Sequence, residues 1–310
     1  MTAAEALAEA FEVQRPHLLR VAYGQLGSRA EAEDVVQEAW LRLERAGADD
    51  IRDLRAWLTT TVNRLALDTL RSARVRRERY VGPWLPEPVV DADPADRVTL
   101  DESIGTALLV VLETLSPGER VAFVMHDVFG YDFAAVAEVL GTTPEAARQQ
   151  ASRGRRRVRD GRPRFPATRE QQQRIVAAFL LAAAEGDADA LVALLHPDAV
   201  MRADGGGVVN APRKPIEGAG RVARTTIALA RHGGDAAGAR IVDVNGMPGV
   251  IFHGADGIPG VVSFTVDDGR ITAIDVVRNP DKLRELPSSV LRAAPTSRAD
   301  ERGGGAPGER

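Results

Sequence analysis

The sequence has no cysteine, and this absence excludes several kinds of chemistry. Without thiols the chain forms no disulfide, carries no thiolate nucleophile and builds no cysteine-ligated zinc site. The lack of cysteine also fits the reducing cytoplasm, which is where we expect the protein to act. Any metal would need histidine and carboxylate ligands, and we predict neither a metal site nor a cofactor.

Long apolar runs and a secretory leader are absent as well. Hydrophobic residues make up 44% of the chain, yet no apolar run approaches the roughly 20 residues that a membrane-spanning helix requires. The first residues, MTAAEALAEAFEVQ, are acidic and helix-forming rather than basic and then apolar, so they lack the layout of a secretory signal. We therefore expect no membrane partner.

Lysine is scarce, since 2 lysines stand against 38 arginines, a bias that is typical of a GC-rich coding sequence. The net charge of −4 would by itself argue against a nucleic-acid partner. The charge is unevenly distributed, however, because residues 144–164 hold eight arginines against two acidic residues, a local charge of +6. A basic segment of this kind is the electrostatic signature of nucleic-acid binding.

Prolines concentrate between residues 83 and 94, where they cannot continue a helix. A chain of 310 residues is expected to form two or three compact units. We predict a multidomain protein with five segments: an all-helical domain over 1–80, a proline-rich linker over 81–99, a second all-helical domain over 100–160, an α+β domain over 168–286 and a disordered tail over 287–310.

A helix-turn-helix is predicted in the second helical domain. Gly141 suits the left-handed end of one helix, Thr143 is a suitable N-cap, and Pro144 suits the first turn of the next helix. In that next helix, small residues recur at spacings of four, three and four. They predict a narrow inner face that packs closely on its partner, formed by Ala147, Ala151, Gly154 and Val158.

The outer face of the same helix carries donors suited to phosphates and to base edges in a major groove. They are Arg148, Gln149, Ser152, Arg153 and Arg156. The structural alternative is a solvated, arginine-rich helix in a helical hairpin. The turn, the small inner face and the basic outer face together favour DNA binding.

The first helical domain combines an acidic helix with a basic one. Residues 30–43 interleave an apolar stripe with an exposed acidic face, and residues 55–71 form a helix that buries Leu58, Val62 and Leu65. This second helix runs into five arginines between residues 71 and 79, a basic end that suits a DNA backbone.

The order of these parts resembles the extracytoplasmic-function sigma factors of bacterial RNA polymerase: an acidic helix, a Trp-Leu helix ending in arginines, a proline-rich linker and a helix-turn-helix. The resemblance covers residues 1 to about 160. It implies that Asp34, Gln37 and Glu38 contact the clamp helices of the polymerase β′ subunit. It also implies core polymerase, including the β flap, and promoter DNA as partners.

The same resemblance assigns promoter recognition to two helices. The helix from Trp57 to Arg77 would melt and read the −10 element, and the helix from Pro144 to Arg159 would read the −35 element. Trp57 itself favours a core position, because aromatic residues at helix starts usually pack inward. The residues expected at the −10 strands are Asn63, Arg64, Arg71, Arg74, Arg76 and Arg77.

The C-terminal domain resembles the SnoaL-like cone-shaped α+β fold. Residues 177–200 predict two helices separated by Gly186-Asp187 and then a strand, and Asp268-Gly269 between β-rich runs predicts a hairpin. SnoaL-like domains curl a sheet around an apolar cavity, which leaves a place for an unknown small ligand. The segment Arg278-Asn279-Pro280-Asp281-Lys282-Leu283 and the linker segment 84–88 resemble those of a sigma-factor subgroup that carries such a domain.

Because SnoaL-like folds include isomerases and cyclases, an enzyme has to be weighed. The candidates are His196 at a helix end, where capping is the simpler role, His253 in a glycine-rich loop, Asp204, and Asp275. Asp275 lies in an apolar strand and is either a pocket acid or a hydrogen-bonded edge residue. No acid–base pair stands out, so we predict no catalytic residues and no enzyme.

A regulatory role for this domain is better supported. Trp84 is a large apolar side chain on a linker that two prolines make stiff, so it should dock on a partner surface rather than remain a solvated spacer. We expect Trp84, Leu85 and Pro86 to meet the segment Asn279, Pro280, Asp281, Lys282 and Leu283. The alternatives to a regulated sigma factor are a stand-alone helix-turn-helix regulator with an effector pocket and an enzyme with a tethered DNA-binding module.

Overall fold

The computed structural model describes residues 3–47, 51–77, 80–91, 105–161, 163–232 and 239–291. It contains two helical domains, a linker that is described over residues 80–91, and an α+β domain that begins near residue 163. None of the described helices is both long and apolar enough to cross a membrane. The predicted tail lies outside the described residues from 292 onward, but its first residues are ordered, because Ser288–Leu291 is helical and Val290 is buried.

The first helical domain consists of three helices around one core. They are α1 (Ala3–Leu26), α2 (Arg29–Ala46) and α3 (Leu54–Arg77). Ser28 caps α2, since its Oγ accepts a hydrogen bond from Glu31 N at 3.3 Å. Leu58 and Val62 of α3 are fully buried, as their spacing predicted, and Trp57 packs against the same core.

The second helical domain has the predicted helix-turn-helix. Its elements are α4 (Thr106–Leu112), α5 (Pro117–Phe123), a π-helical turn (Val124–Val128), α6 (Phe133–Leu140) and α7 (Pro144–Gly161). Gly141 ends α6 in the left-handed conformation at φ 64°, and Thr143 Oγ1 accepts from Ala146 N at 3.2 Å. The predicted inner face of α7 is entirely buried, at Ala147, Ala151, Gly154 and Val158.

The two helical domains share one hydrophobic core, which extends from Phe11 in α1 to Val158 in α7. At its edge, the ring of His17 in α1 makes a 2.7 Å hydrogen bond from Nε2 to the hydroxyl of Tyr131, just before α6. Burial and the nearby charges of Arg55 and Arg20 lower the pKa of His17, so the ring is neutral at pH 7. Next to this contact, α3 packs against α6.

The α+β domain is a seven-stranded sheet with helices on one face. The helices on that face are α8 (Arg169–Glu185), α9 (Ala188–Leu194) and α10 (Ala219–His232). The short α11 (Ser288–Leu291) lies on the opposite face, where Val290 is buried. The strands are β1 (Val90–Asp91), β2 (Leu195–Asp204), β3 (Ile216–Glu217), β4 (Arg240–Val244), β5 (Met247–His253), β6 (Pro259–Asp267) and β7 (Arg270–Val277).

The order of strands is β1-β4-β5-β6-β7-β2-β3, and every described pair is antiparallel except β2 with β7. The β6–β7 hairpin turns at Asp268 and Gly269, both with positive φ, as the Asp-Gly signal predicted. Strand β1 is part of the linker, which the sequence presented as a proline-rich spacer. Val90 of β1 pairs with Val244 of β4, so this part of the linker forms an edge strand of the sheet.

Side chains point alternately to the two faces of the sheet along each strand, and apolar side chains are buried on both faces. The helix-side face is filled by buried side chains that include Phe179, Met201 and Phe264. The opposite face is covered by the linker and by Val110 of α4, which pack with the segment after β7. Its buried members are Leu85, Val90, Val244, Ile251, Val261, Val277, Leu283, Leu286 and Val290. The sheet therefore carries the sigma-like domains on the face that its own helices leave open.

Candidate nucleic-acid interface and interdomain contacts

The outer face of α7 presents the five side chains expected at the −35 element. Arg148, Gln149, Ser152, Arg153 and Arg156 are all exposed. Arg148 lies over the ring of Phe133, with 5.0 Å between its Cζ and the ring centroid, so the guanidinium is held beside the start of α6. The exposed side of the helix therefore offers a row of donors.

Acidic side chains of α5 and the π-helical turn form ion pairs with three arginines of α7. Arg153 and Arg157 donate to Glu119 at 3.2 and 2.8 Å, and Arg155 donates to Asp127 at 2.6 Å. Burial alone would raise the pKa of Glu119, but hydrogen bonds from Ser116 and the arginine charges together lower it. These arginines thus have a structural role, whereas Gln149, Ser152 and Arg156 extend into solvent.

The three side chains expected at core polymerase lie on the outer face of α2. Asp34 and Gln37 are exposed, and Glu38 is half-buried and accepts from Arg42 at 3.0 Å. Gln37 also borders a groove of about 250 Å³ between α1 and α2, whose floor includes Phe11 and Trp40. Acidic and amide groups beside an apolar groove form a surface that a protein partner can dock on.

Asn63 does not lie where the sequence placed it. It was expected to face the promoter strands, but it is 0% exposed, because its side of α3 packs against α1. Its Nδ2 donates to Thr59 O at 2.7 Å, and its Oδ1 accepts from Gln25 Nε2. Asn63 therefore joins two helices of the core.

The arginines on α3 differ in their surroundings. Arg64 reaches α6, where its Nη2 donates to the backbone carbonyl of Glu138 at 3.0 Å and to Glu138 Oε1 at 3.3 Å. Arg71 is exposed and lies 3.4 Å from Asp68 Oδ1. The side chains of Arg74, Arg76 and Arg77 lie outside the described part of the structure. Of the described −10 candidates, Arg64 is thus engaged by the helix-turn-helix.

Asp204 at the end of β2 joins the linker to the α+β domain. It is fully buried and accepts four hydrogen bonds, which fill both of its carboxylate oxygens. The donors are Tyr80 Oη at 2.5 Å, Leu85 N at 3.0 Å, Gly206 N at 3.0 Å and Lys282 Nζ at 2.8 Å. Burial, and then the hydrogen bond to Asp204, raise the pKa of Tyr80, so its hydroxyl remains a donor.

The structure brings the two expected interdomain segments together through Lys282. Its Nζ lies 3.8 Å from the centroid of the Trp84 ring and also donates to Leu85 O. Leu85 and Leu283 are buried in the same cluster. Trp84 is therefore docked rather than solvated.

The neighbouring members of these segments have other contacts. Pro86 packs beside Gly27, at the start of the loop into α2. Asn279 Nδ2 donates to Tyr80 Oη at 2.8 Å. Pro280 begins a 3₁₀ turn, and Asp281 is exposed and pairs with Arg284. The linker thus contacts the first helical domain on one side and the α+β domain on the other.

Glu87 was not singled out in the sequence, although it completes the linker contact. Its carboxylate accepts from Arg29 N at 2.9 Å and from Ser28 Oγ at 3.1 Å, so it caps the start of α2 from outside. Its backbone N donates to Gly27 O at 2.7 Å, and Tyr23 Oη donates to its carbonyl. A glutamate between two prolines carries no local signal for a contact 58 residues away.

The enzyme candidates are not arranged for catalysis. Asp275 is buried in the interior strand β7, where its carboxylate accepts two hydrogen bonds from Arg202, at 2.6 and 3.0 Å. It is therefore neither a pocket acid nor an edge residue. Burial raises its pKa, and the Arg202 charge opposes that rise. His196 lies in β2 instead of at a helix end, and His253 ends β5 instead of lying in a loop. Among the described residues, no group of three histidine and acidic side chains could hold a metal ion.

Known families match both helical domains. Sigma-70 region 2 matches residues 11–76, and Sigma-70, region 4 matches residues 106–158. The ECF RNA polymerase sigma factor SigJ of Mycobacterium tuberculosis is 45% identical over 307 residues, which is 93% of this chain and 96% of SigJ. The chain belongs to the extracytoplasmic-function sigma factors.

The similarity of this sigma factor to its relatives extends into the α+β domain. SigI of M. tuberculosis is 36% identical over 92% of this chain and 98% of its own length. The crystal structure of M. tuberculosis SigJ superimposes with a TM-score of 0.75 and 41% identity, covering 89% of this chain and 98% of that one. The predicted architecture, two helical sigma domains followed by a SnoaL-like α+β domain, is confirmed.

Membership of this family decides between the interpretations of the sequence. A sigma factor is a transcription initiation factor rather than an enzyme, and the relatives match over nearly the whole chain. Both alternatives, the stand-alone regulator and the enzyme with a tethered DNA-binding module, are thereby set aside.

Proposed function

We propose that the α+β domain holds this sigma factor in a closed arrangement, and that initiation requires the linker to undock. The observation that carries the proposal is the contact of Arg64 with Glu138. In the closed arrangement Arg64 of the −10 helix is bound to Glu138 of the helix-turn-helix, and the two helical domains share one hydrophobic core, so the two promoter-reading surfaces are held side by side. The −10 and −35 elements lie apart on DNA, and the two domains have to separate to reach both.

The linker is the mechanical connection in this proposal. It bonds to Asp204 on the α+β domain and to the start of α2 on the first helical domain, through Leu85 and Glu87 respectively. While both contacts hold, the first helical domain stays attached to the sheet. Because α4 packs on the same sheet face, the second helical domain is held as well.

The polymerase surface is accessible in the closed arrangement, which suggests an order of events. Asp34 and Gln37 are exposed, so α2 can meet the β′ clamp helices before the domains separate. The second helical domain would then move to the β flap, and α7 would read the −35 element. In this scheme polymerase binding precedes opening, and the protein acts in the cytoplasm with its polymerase.

The proposal assigns no small ligand to the α+β domain. The helix-side face of its sheet, where a SnoaL-like cavity was expected, is packed with buried side chains such as Phe179, Met201 and Phe264. The opposite face binds the linker. Protein contacts therefore account for both apolar faces.

Run-off transcription with core polymerase tests the proposal. We compare the full-length protein with Asp204→Asn, which removes the charge that Lys282 and the linker bind, and with the matched control Asp256→Asn, which removes an exposed partner of Arg278. Asp204→Asn should raise initiation several-fold, and Asp256→Asn should not. Equal initiation by Asp204→Asn and wild type, with the domains demonstrably separated in the variant, would overturn the proposal.

A further inference from the structure

One side chain of the α+β domain contacts both helical domains and the linker. Asn245 Nδ2 donates to Tyr23 Oη of α1 at 2.6 Å. Its Oδ1 accepts from Val89 N of the linker and from Thr106 Oγ1 at the start of α4, both at 3.3 Å. Asn245 is only 4% exposed, so these bonds are shielded from water.

The β4–β5 turn places this side chain at the junction. Asn245 and Gly246 both have positive φ, 51° and 79°, the geometry of a tight hairpin turn that asparagine tolerates. The turn carries its own backbone bond to the linker, since Asn245 N donates to Val89 O at 2.8 Å. Position 245 is thereby fixed beside β1.

The surrounding groups determine which end of the amide faces which domain. Tyr23 Oη uses its only proton on Glu87 O, so it can only accept from Asn245. Val89 N is a donor, so it requires the amide oxygen. Thr106 Oγ1 also lies 3.3 Å from Ser263 Oγ, and Ser263 can donate to it while Thr106 donates to Asn245. An amide supplies the donor and the acceptor that this junction requires, and a carboxylate does not.

We infer that Asn245 is the positioning residue that makes the two helical domains and the linker undock from the α+β domain as one unit. The inference rests on the proposed closed arrangement and names the residue that couples its parts. Because one amide bonds all three partners, the loss of any one hydrogen bond lets the Asn245 side chain rotate away from the other two partners. Separation of one domain therefore weakens the attachment of the next.

Three substitutions and one control separate the parts of this contact. Asn245→Gly removes the side chain and preserves the positive φ, and Asp268→Gly is its matched control at the β6–β7 hairpin turn. Asn245→Asp keeps an oxygen for Val89 and Thr106 but loses the donor for Tyr23. Thr106→Val removes the contact with α4 alone, at a residue that is outside the proposed DNA and polymerase surfaces.

The chain has no cysteine, so fluorescent labels can be attached at engineered positions without background. Val13 in α1 and Leu229 in α10 are exposed, at 71% and 50%, and Val13→Cys with Leu229→Cys reports the separation of the first helical domain from the α+β domain. Loss of one or two buried hydrogen bonds should raise the ratio of open to closed molecules about 5- to 30-fold. Circular dichroism checks that each variant is folded.

We expect Asn245→Gly to open the full-length protein, Asn245→Asp and Thr106→Val to open it less, and Asp268→Gly to leave it closed. If the two helical domains and the linker undock together, Thr106→Val increases the distance between the labels on α1 and α10, although Thr106 contacts neither helix. If Thr106→Val leaves that distance unchanged, or if Asn245→Gly is as closed as Asp268→Gly, the inference is wrong.

The same variants distinguish this inference from the proposed function. If Asn245→Gly opens the protein without raising run-off transcription, the positioning role stands and the proposed function fails. If Asp204→Asn opens and activates the protein while Asn245→Gly stays closed, the proposed function stands and the positioning role fails.

Discussion

The hydroxyl of Tyr80 lies 2.5 Å from Oδ1 of Asp204, and this bond joins the start of the linker to the end of β2 across 124 positions of sequence. Asn279 completes the pair by donating to the same hydroxyl at 2.8 Å. The bond therefore fixes where the linker leaves the first helical domain.

Tyr80→Phe should favour the open form. It removes one hydroxyl and leaves Asp204 and Asn279 each short of a partner, which costs about 1 kcal/mol or more. We expect a larger separation of the labels at positions 13 and 229, and faster initiation in run-off transcription. Arg284→Ala, which breaks only an exposed pair with Asp281, serves as the control and should change neither measurement. An unchanged separation in Tyr80→Phe would speak against a role for this bond.

A disulfide across the linker should lock the closed form. Val90 and Val244 are directly opposite in antiparallel strands, where Cα atoms are about 4.5–5.5 Å apart and within disulfide range. The variant Val90→Cys with Val244→Cys should initiate poorly when oxidised and normally after reduction. Each single cysteine variant should be insensitive to reductant. Full activity of the oxidised double variant would show that initiation does not need undocking.

Polymerase affinity should depend on the acidic face of α2. Replacing Asp34 and Glu38 by alanine together should weaken binding to core polymerase about 10-fold, because two charges are removed from a charged interface. Glu185→Ala, an exposed acidic residue at the end of α8, is the control for charge alone. Affinity is measured by competition with labelled wild-type protein. Unchanged affinity in the double variant would contradict the assignment.

Arginines of α7 should differ in their effect on DNA binding. Arg156→Ala should lower affinity for −35 DNA and reduce the slope of log affinity against log salt by about 0.9, as expected when one phosphate contact is lost. Arg157→Ala is the matched control, since Arg157 is bound to Glu119 inside the domain. Titrations at several salt concentrations measure both slopes. Equal effects of the two substitutions would contradict the division of α7 into structural and DNA-binding arginines.

Docking of the linker should weaken as pH rises. Burial raises the pKa of Glu87 above its ordinary value of 4.5, while bonds from Ser28 and Arg29 oppose that rise. The docked form therefore binds more protons than the undocked form between the ordinary and the raised pKa. Raising the pH through this window favours undocking, and lowering it favours docking.

Glu87→Gln tests the origin of this pH dependence. The variant should flatten the change in label separation across the window, because its side chain does not titrate. Global unfolding is a less suitable measurement, since Asp275 also has a raised pKa. If the wild-type and Glu87→Gln profiles coincide, another group causes the dependence.

Features that depend on neighbouring residues were predictable from the sequence. The small face of α7, the turn at Gly141 to Pro144 and the Asp268-Gly269 hairpin each follow from a few adjacent side chains, and all are confirmed. The site residues on the outer faces of α2 and α7 are exposed, apart from the half-buried Glu38, because amphipathic spacing separates inside from outside.

Features that depend on distant packing were predicted less well, although the docking of Trp84 beside Lys282 was expected from the sequence. Asn63 looked like a polar reader of DNA, yet it is buried because α1 happens to cover that side of α3. Asn245 contacts a tyrosine 222 positions away, and no local pattern marks such a pairing. Asp204 was considered as an acid for catalysis, although its four donors come from the linker and from residues around it.

The pairing of β1 with β4 affects how readily the undocked protein self-associates. A strand at the edge of a sheet has unpaired N–H and C=O groups that can recruit another chain, and the linker covers part of this edge at Val244 and Asp243. Undocking exposes that edge together with the apolar face behind it. An open molecule away from polymerase is therefore prone to self-association, and concentrated, activated variants should be the ones that precipitate first.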